Sequence, residues 1–317
     1  MIKTIFKGLG ALLLLAVLAI AGVIAANWTY VNRLATFDRN TMITDYEWYS
    51  PIEVAKGTEG NALPRADQGS LSLDASAIDQ ALSFADRNGS TALLVWHKGA
   101  LQLEHYGDGF SRDSRTNSAS MHKSVMALLY GVVIDDGIIP SVDEPAATYI
   151  TEWASDERAT ITIRHLMHMT SGLDRSPFSL NPFSDTFQLM MGTDINGLIL
   201  KYPVVDEPGT VFAYSNINSE SLGLILERAS GMRYADLLEA KLWNKLGTRD
   251  AHIWLDSEGG KARTSGSLLL TAEDWMRLGL LHLNNGQVNG QQVVTQDWLQ
   301  EIITPSPANP NYCLLYT

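Results

Sequence analysis

The sequence predicts an α+β fold, and three observations carry that reading. Residues 91–96 and 100–106 are apolar-rich runs on either side of His97-Lys98-Gly99, a strong β-hairpin signal. Beyond them, to about Asn284, the chain is patterned mostly as helices. With 317 residues and 45% hydrophobic content, it can build one large domain or two closely packed ones around an ample core.

At the N-terminus, Lys3 and Lys7 precede an uncharged apolar run over residues 8–26. That run is near the length that crosses a bilayer and longer than most signal-peptide cores. Trp28 and Tyr30 follow where an interfacial aromatic belt would sit, and the positive charge on the short leading side places the rest of the chain outside the cytoplasm. Residues 1–30 therefore read as a signal anchor. A cleavable signal peptide is the alternative, since Val23 and Ala25 are small enough for a cleavage site. Either way the catalytic region is exported, to the periplasmic or extracellular face. Residues 31–70 lack clear periodicity and hold Pro51, Gly57, Gly60 and Pro64; they are expected to be a connector on the surface of a domain spanning 71–317. Residues 74–87 suit an amphipathic helix capped by Asp74, with Ile78, Ala81 and Leu82 inward. After the hairpin, a buried helix is expected from Ser120, with Met121, Val125, Leu128 and Leu129 at helical spacing and Asp135-Asp136-Gly137 as its stop. Asn285-Gly286 and Asn289-Gly290 mark two tight turns, and residues 295–303 a short helix.

The chemistry is concentrated in Ser120-Met121-His122-Lys123 and Tyr214-Ser215-Asn216. On a helix, positions i and i+3 bring the Ser120 hydroxyl and the Lys123 amine to one face. A serine hydroxyl is a weak nucleophile until a neighbour takes its proton. A lysine in a partly dry pocket can do so, because desolvation lowers an ammonium pKa toward neutrality. A tyrosine phenol beside that cation is expected to shift toward phenolate, giving a second proton carrier. At a helix N-terminus, free N–H groups also favour developing negative charge on Ser120. Taken by itself, Ser120 equally suits an N-cap and Lys123 a solvated first-turn side chain.

Longer segments set these motifs in context. Ile161-Thr162-Ile163-Arg164-His165-Leu166-Met167-His168-Met169-Thr170-Ser171-Gly172-Leu173, Pro208-Gly209-Thr210-Val211-Phe212-Ala213-Tyr214-Ser215-Asn216 and Gly266-Ser267-Leu268-Leu269-Leu270-Thr271-Ala272-Glu273-Asp274 resemble, in order, three stretches of the serine hydrolases built on the class C β-lactamase and penicillin-binding-protein fold. S-x-x-K is a signature of that group, which includes carboxylesterases, D-aminopeptidases and 6-aminohexanoate-dimer hydrolases. The chain departs from the pattern at Met169, where a histidine is usual, and at Ser267 and Leu270, which replace a glycine and a serine. The resemblance runs from about Thr91 to Trp298. It implies a β-lactamase/transpeptidase-like fold, with a helical subdomain beside an antiparallel sheet. It also implies an acyl-enzyme on Ser120, proton transfer by Lys123 and Tyr214, and Asn216 pointing into the cleft toward a substrate amide or Lys123. Asn216 also suits an N-cap for the helix that follows.

The same resemblance implies further antiparallel strands and a third motif, K-T-G or H-x-G, beyond the end of this chain. The first such strand is expected near Asn311-Tyr312. The chain is therefore expected to be C-terminally incomplete, lacking one of two oxyanion N–H donors, the other being that of Ser120; one donor typically matters about 10²–10³-fold in turnover. The 91–106 hairpin is expected to lack sheet neighbours. Arg263-Thr264-Ser265-Gly266 imitates K-T-G but precedes a helix entry, and is expected to be a chance match.

Other features narrow the function. A net charge of −12 argues against nucleic acid as a partner. Cys313 is the only cysteine, so no disulfide framework holds the fold. His165 and His168 have ligand-like spacing but no carboxylate or cysteine completing a set in sequence, so packing or capping is expected and no metal or cofactor is implied. His122 should point away from Ser120, and Asp135-Asp136 reads as a solvated helix end. Trp153, Phe178, Phe183, Phe187 and Trp254 are candidates for an apolar pocket, most of them expected in the core. The expected activity is hydrolysis of a small ester, amide or peptide-like substrate, in a chain whose N-terminal segment meets the membrane. The alternative is a non-catalytic truncated or penicillin-sensing relative that binds without turnover. Substrate identity depends on pocket loops, and the sequence does not assign it or the oligomeric state.

Overall fold

The computed structural model describes residues 2–38, 44, 48–67, 69, 71–175, 177 and 179–313, with side chains described from residue 10 onward except residue 11. Phe178, one of the aromatic candidates, lies outside the described residues.

Helix α1 (Ile2–Ala26) carries the apolar run, and its described side chains are exposed. It meets α2 (Trp28–Thr36) at Asn27; the segments Leu12–Ala26 and Trp28–Thr36 are bent by 83°. Among the described residues no single helix is long and apolar enough to cross a membrane, whereas this bent pair together is.

The expected connector is more deeply built in than its composition suggests. Arg33 of α2 is fully buried, and Trp48 and Tyr49 join a small core with Phe187, Met191, Trp254 and Leu269. Strand β1 (Ile52–Ala55) then forms one edge of the main sheet. Residues 31–70 thus contribute core and sheet. The missing periodicity reflects a strand too short to show alternation.

Helix α3 (Ala75–Arg87) begins at Asp74, whose carboxylate accepts from the N–H groups of Ser76 and Ala77. It packs on the hairpin of β2 (Ala92–His97) and β3 (Ala100–Tyr106). Lys98 and Gly99 both have positive φ, the requirement of a two-residue type I′ turn. The hairpin is not wholly alone: Leu101 exchanges backbone hydrogen bonds with Pro64 and Ala66, at 2.8 and 2.9 Å. It stays outside the main sheet, which has the order β1-β5-β6-β4 and is antiparallel throughout. Its other members are β4 (Arg115–Asn117), β5 (Ala251–Trp254) and β6 (Leu268–Thr271). All four residues of β6 are buried, as a central strand covered on both faces must be.

The helical part gathers around α4 (His122–Asp135), closed by Gly137 in the left-handed region. Short helices α5 (Ile163–Met167), α6 (Asp185–Met191) and α7 (Ile195–Lys201) lead to α8 (Asn216–Ser230), which ends at left-handed Gly231. Helices α9 (Tyr234–Lys241) and α10 (Ala272–Leu283) pack toward the sheet; α10 opens with a capping box of Thr271 and Asp274. The Asn289-Gly290 turn joins the short strands β7 (Gln287–Val288) and β8 (Gln291–Gln292), and α11 (Gln296–Ile303) packs on α4. Helix α4 is apolar nearly all round and almost wholly buried, which makes it the core's axis.

After α11 the Ser306 N–H bonds to the Tyr312 carbonyl at 2.7 Å, and residues 314–317, where the expected strand would continue, lie outside the described residues. Among the aromatic candidates Trp153, Phe187 and Trp254 are core, as most were expected to be, and Phe183 is 90% exposed.

Candidate active site

The route from β4 to α4 shapes the site. Asn117 Oδ1 accepts the Ala119 N–H at 2.9 Å, and the Ser118 N–H bonds to the Leu268 carbonyl at 2.9 Å. Ala119 is thereby held at φ +47°, a left-handed conformation costing an alanine about 1 kcal/mol. Ser120 follows in a short 3₁₀ turn, Ala119–Met121, rather than in the α-helix proper, so its N–H is among the first of the helical run and has no helical carbonyl behind it. Gly266 packs against this turn: a Cβ there would meet the Ala119 carbonyl carbon and oxygen at 3.0 Å. Any larger residue there would have to push this turn away by a few tenths of an ångström.

Lys123 points back at Ser120 from the first turn of α4, 4% exposed. Its Nζ lies 3.1 Å from Ser120 Oγ, 3.0 Å from Asn216 Oδ1 and close against the Ser265 carbonyl oxygen. Tyr214 stands just before α8, with its hydroxyl 2.7 Å from Ser120 Oγ. The four candidate residues Ser120, Lys123, Tyr214 and Asn216 therefore meet in one cluster, although Tyr214 is 94 residues from Ser120.

Burial pulls the Lys123 amine down to about 7, against a smaller opposing pull from Glu220. An ammonium at this position has three N–H groups for three acceptors. The neutral amine has two, which the Asn216 and Ser265 carbonyl oxygens take, leaving its lone pair directed at Ser120 Oγ. Tyr214 departs from expectation. Burial raises its phenol above the ordinary value, and the bond to Ser120 opposes this only in part, so it keeps its proton rather than resting as phenolate.

The motif segments around the site stack on one another. The Met169 carbonyl accepts the Ala213 N–H at 2.8 Å, and the Thr170 carbonyl accepts the Gly209 N–H at 2.7 Å, which fixes the approach to Tyr214. Met169 itself accepts from Asn218 Nδ2 through sulfur at 3.3 Å. His165 closes a capping box with Thr162, and His168 is buried. Among the described residues no cluster suits a metal ion. His122 points away, its Nε2 2.9 Å from the Tyr234 hydroxyl.

Arg263-Thr264-Ser265-Gly266, expected to be a chance match to K-T-G, lies in a turn ahead of the strand rather than in one, yet it borders the cluster. It leads into β6 and delivers both the Ser265 carbonyl and the close contact at Gly266. The signal available was the apolar run Leu268-Leu269-Leu270, which favours a central place in the sheet. Tyr312 was also missed as a neighbour: its ring lies 5.0 Å from Phe212 and 6.3 Å from Tyr214, so the end of the described chain returns to the site.

Comparison with known proteins places the chain in a family. The β-lactamase family matches residues 76–310. A 6-aminohexanoate-dimer hydrolase of Paenarthrobacter ureafaciens is 28% identical over 234 residues, covering 67% of this chain and 56% of the relative. Penicillin-binding protein 4* of Bacillus subtilis (strain 168) is 27% identical over 164 residues, covering 48% of this chain and 35% of the relative. The chain thus spans only about half, or less, of these curated relatives. Among solved structures, a Bacillus anthracis protein provisionally named 6-aminohexanoate-dimer hydrolase superposes with a TM-score of 0.74 at 21% identity, over 88% of this chain and 80% of its own. A penicillin-binding protein from Bacillus halodurans superposes at 0.53 with 20% identity, over 68% of this chain and 74% of its own. At these identities the structures establish the fold.

Proposed function

The chain belongs to the β-lactamase family, and from that premise we propose that it is an exported serine hydrolase, cleaving an ester or amide through an acyl-serine on Ser120. The observation that supports this most is the convergence of the Lys123 amine and the Tyr214 hydroxyl on one oxygen, Ser120 Oγ. In the active state Lys123 is neutral and takes the Ser120 proton as Oγ attacks the carbonyl carbon. The Ser120 N–H, at the start of the helical run, stabilises the oxyanion. Tyr214, a protonated phenol beside the attacking oxygen, donates to the departing alkoxide or amine and becomes phenolate; it then takes a proton from the water that attacks the acyl carbon, and Ser120 Oγ leaves with the proton held by Lys123. A small ester, a linear amide or a peptide-like substrate fits this chemistry. The uncharged apolar run of residues 8–26, with Lys3 and Lys7 ahead of it, supports attachment to a membrane with the catalytic region on the exported side.

The test is intact-protein mass spectrometry after exposure to a fluorophosphonate serine probe, with a p-nitrophenyl ester assay alongside. A single adduct mapping to Ser120, and loss of both adduct and hydrolysis in Ser120→Ala, is expected. Labelling elsewhere, or unchanged hydrolysis by Ser120→Ala, would defeat the assignment.

A further inference from the structure

One buried acidic side chain behind the nucleophile takes no part in that scheme. Glu220 lies one turn beyond Asn216 on α8 and is fully buried. Its Oε2 accepts from the Thr264 N–H at 3.1 Å and lies 3.2 Å from the Thr264 hydroxyl, which donates to the Ser219 carbonyl at 2.8 Å, and its Oε1 accepts from the Ser265 N–H at 3.1 Å. An ionised carboxylate only accepts, and these donors match it. None of the salt bridges among the described residues includes it. A buried carboxyl group without a cationic partner is rare unless something else repays its desolvation.

We propose that Glu220 is a positioning residue for the reaction, holding the Thr264–Ser265 backbone so that the Ser265 carbonyl and Asn216 together aim the Lys123 amine at Ser120, and supplying the negative charge that lies behind that amine. This rests on the reading of Lys123 as the base. The geometry is a single unit. Glu220 and Asn216 are four apart on one helix, hence on one face, and each controls one of the two carbonyl oxygens that hold Nζ. Gly223, on the next turn, leaves room for Thr264, since a Cβ there would meet Thr264 Oγ1 at 2.5 Å. Sequence gives no hint of this, because a glutamate within a helix is an ordinary surface residue.

The charge has a direction. Glu220 favours the ammonium form of Lys123 and so opposes the desolvation that favours the amine. The other titratable groups facing this region are displaced from the working range by burial: His122 down to about 3, and Tyr130, Tyr214 and Tyr234 upward. The acid limb of Ser120 reactivity therefore reports Lys123.

The experiment measures the second-order rate of fluorophosphonate labelling at Ser120 against pH for the full-length chain and two variants, with circular dichroism as the check on folding. Glu220→Gln keeps the shape and removes the charge. Its acid-limb midpoint should fall by about half a pH unit or more, and its plateau rate by about tenfold as the amide NH₂ opposes the Thr264 and Ser265 donors. Glu220→Asp keeps the charge and withdraws it by one methylene; its plateau should fall while its midpoint stays with the wild type. A folded Glu220→Gln with an unmoved or raised midpoint overturns the proposal, as does a Glu220→Asp midpoint that moves as far as that of Glu220→Gln. Should Glu220→Gln not fold, Glu220→Asp decides alone, and a wild-type plateau there overturns the positioning role. A wild-type chain that does not label at Ser120 overturns the hydrolase reading, and the proposal with it.

Discussion

At Lys123 three acceptors and one low pKa meet, and the sign of the pH dependence follows from them. On the proposed mechanism the amine is the working form, and burial brings its pKa down to about 7. Hydrolysis should therefore be weak at pH 5, rise through a midpoint near 7 and hold a plateau into the alkaline range, because Tyr214 keeps its proton above the ordinary phenol value. A rate profile on a p-nitrophenyl ester, corrected for spontaneous hydrolysis, checks this; activity that falls as pH rises through 7 would contradict it. Lys123→Arg retains positive charge but cannot give up its proton, so it should lose about 10²–10⁴ in kcat/KM without loss of fold. Tyr214→Phe removes a donor 2.7 Å from Ser120 Oγ. It should lower kcat by about 10²-fold or more, and more for amides than for p-nitrophenyl esters, whose leaving group needs little help from an acid. Ser120, Lys123 and Tyr214 are legible in the sequence because what they bring to the cluster is side-chain chemistry. Ser265 is not, because it acts through its backbone carbonyl, which every residue carries.

Among the elements, those with local causes were legible and those made by distant pairing were not. Helix α3 with its Asp74 cap, the type I′ hairpin at Lys98-Gly99, the stop at Gly137 and the Thr271 capping box each follow from neighbouring residues. Strand β1 does not, since its place is set by β5, about 200 residues away in the register Ile52 to Trp254. The phenolate expected at Tyr214 failed for a related reason: the motifs show the neighbouring lysine, but not the burial that raises the phenol against the opposing bond to Ser120. Helix α2 gives the sharpest case. Arg33 donates to the carbonyls of Ser50, Met191, Gly192, Leu255 and Asp256 at 2.7–3.1 Å, and its guanidinium lies 4.0 Å above the Tyr49 ring. Arg263 holds the other side, bonded to the Tyr49 hydroxyl and the Leu189 and Gly192 carbonyls. Arg33→Met would strand several buried carbonyls and should destabilise the fold by about 3 kcal/mol or more. Thermal or denaturant melting of the detergent-solubilised chain reads this, and a change below about 0.5 kcal/mol would mean the surrounding carbonyls find water.

For the whole molecule, the same arginine joins the apolar N-terminal segment to the catalytic part. Helix α1 ends at Ala26, seven residues before Arg33, and a turn at Asn27 separates two helices bent by 83°. Tyr30, between them, donates to the Pro182 carbonyl at 2.9 Å and accepts from Gln188 at 3.1 Å. A flexible tether would let the catalytic part turn freely beneath a membrane; a helix fastened by buried bonds within two turns of the bilayer would not. If α1 is an uncleaved anchor, the chain in a membrane fraction should resist alkaline carbonate, retain its full mass, and lose a C-terminal tag to protease added from the exported side. A chain that appears soluble in the exported compartment, shortened near Ala26, would show a cleaved signal instead. In that case the Arg33 cluster should survive intact in the mature protein, because all of its partners lie beyond the cut. Arg33→Met should then lower the melting temperature of the soluble form by several degrees, on the order of the shift a few kcal/mol gives in a domain of this size. The two outcomes assign different roles to α1 but the same one to Arg33: it fixes the chain's entry into the fold on the side of the sheet where Arg263 leads to Ser265 and the nucleophile.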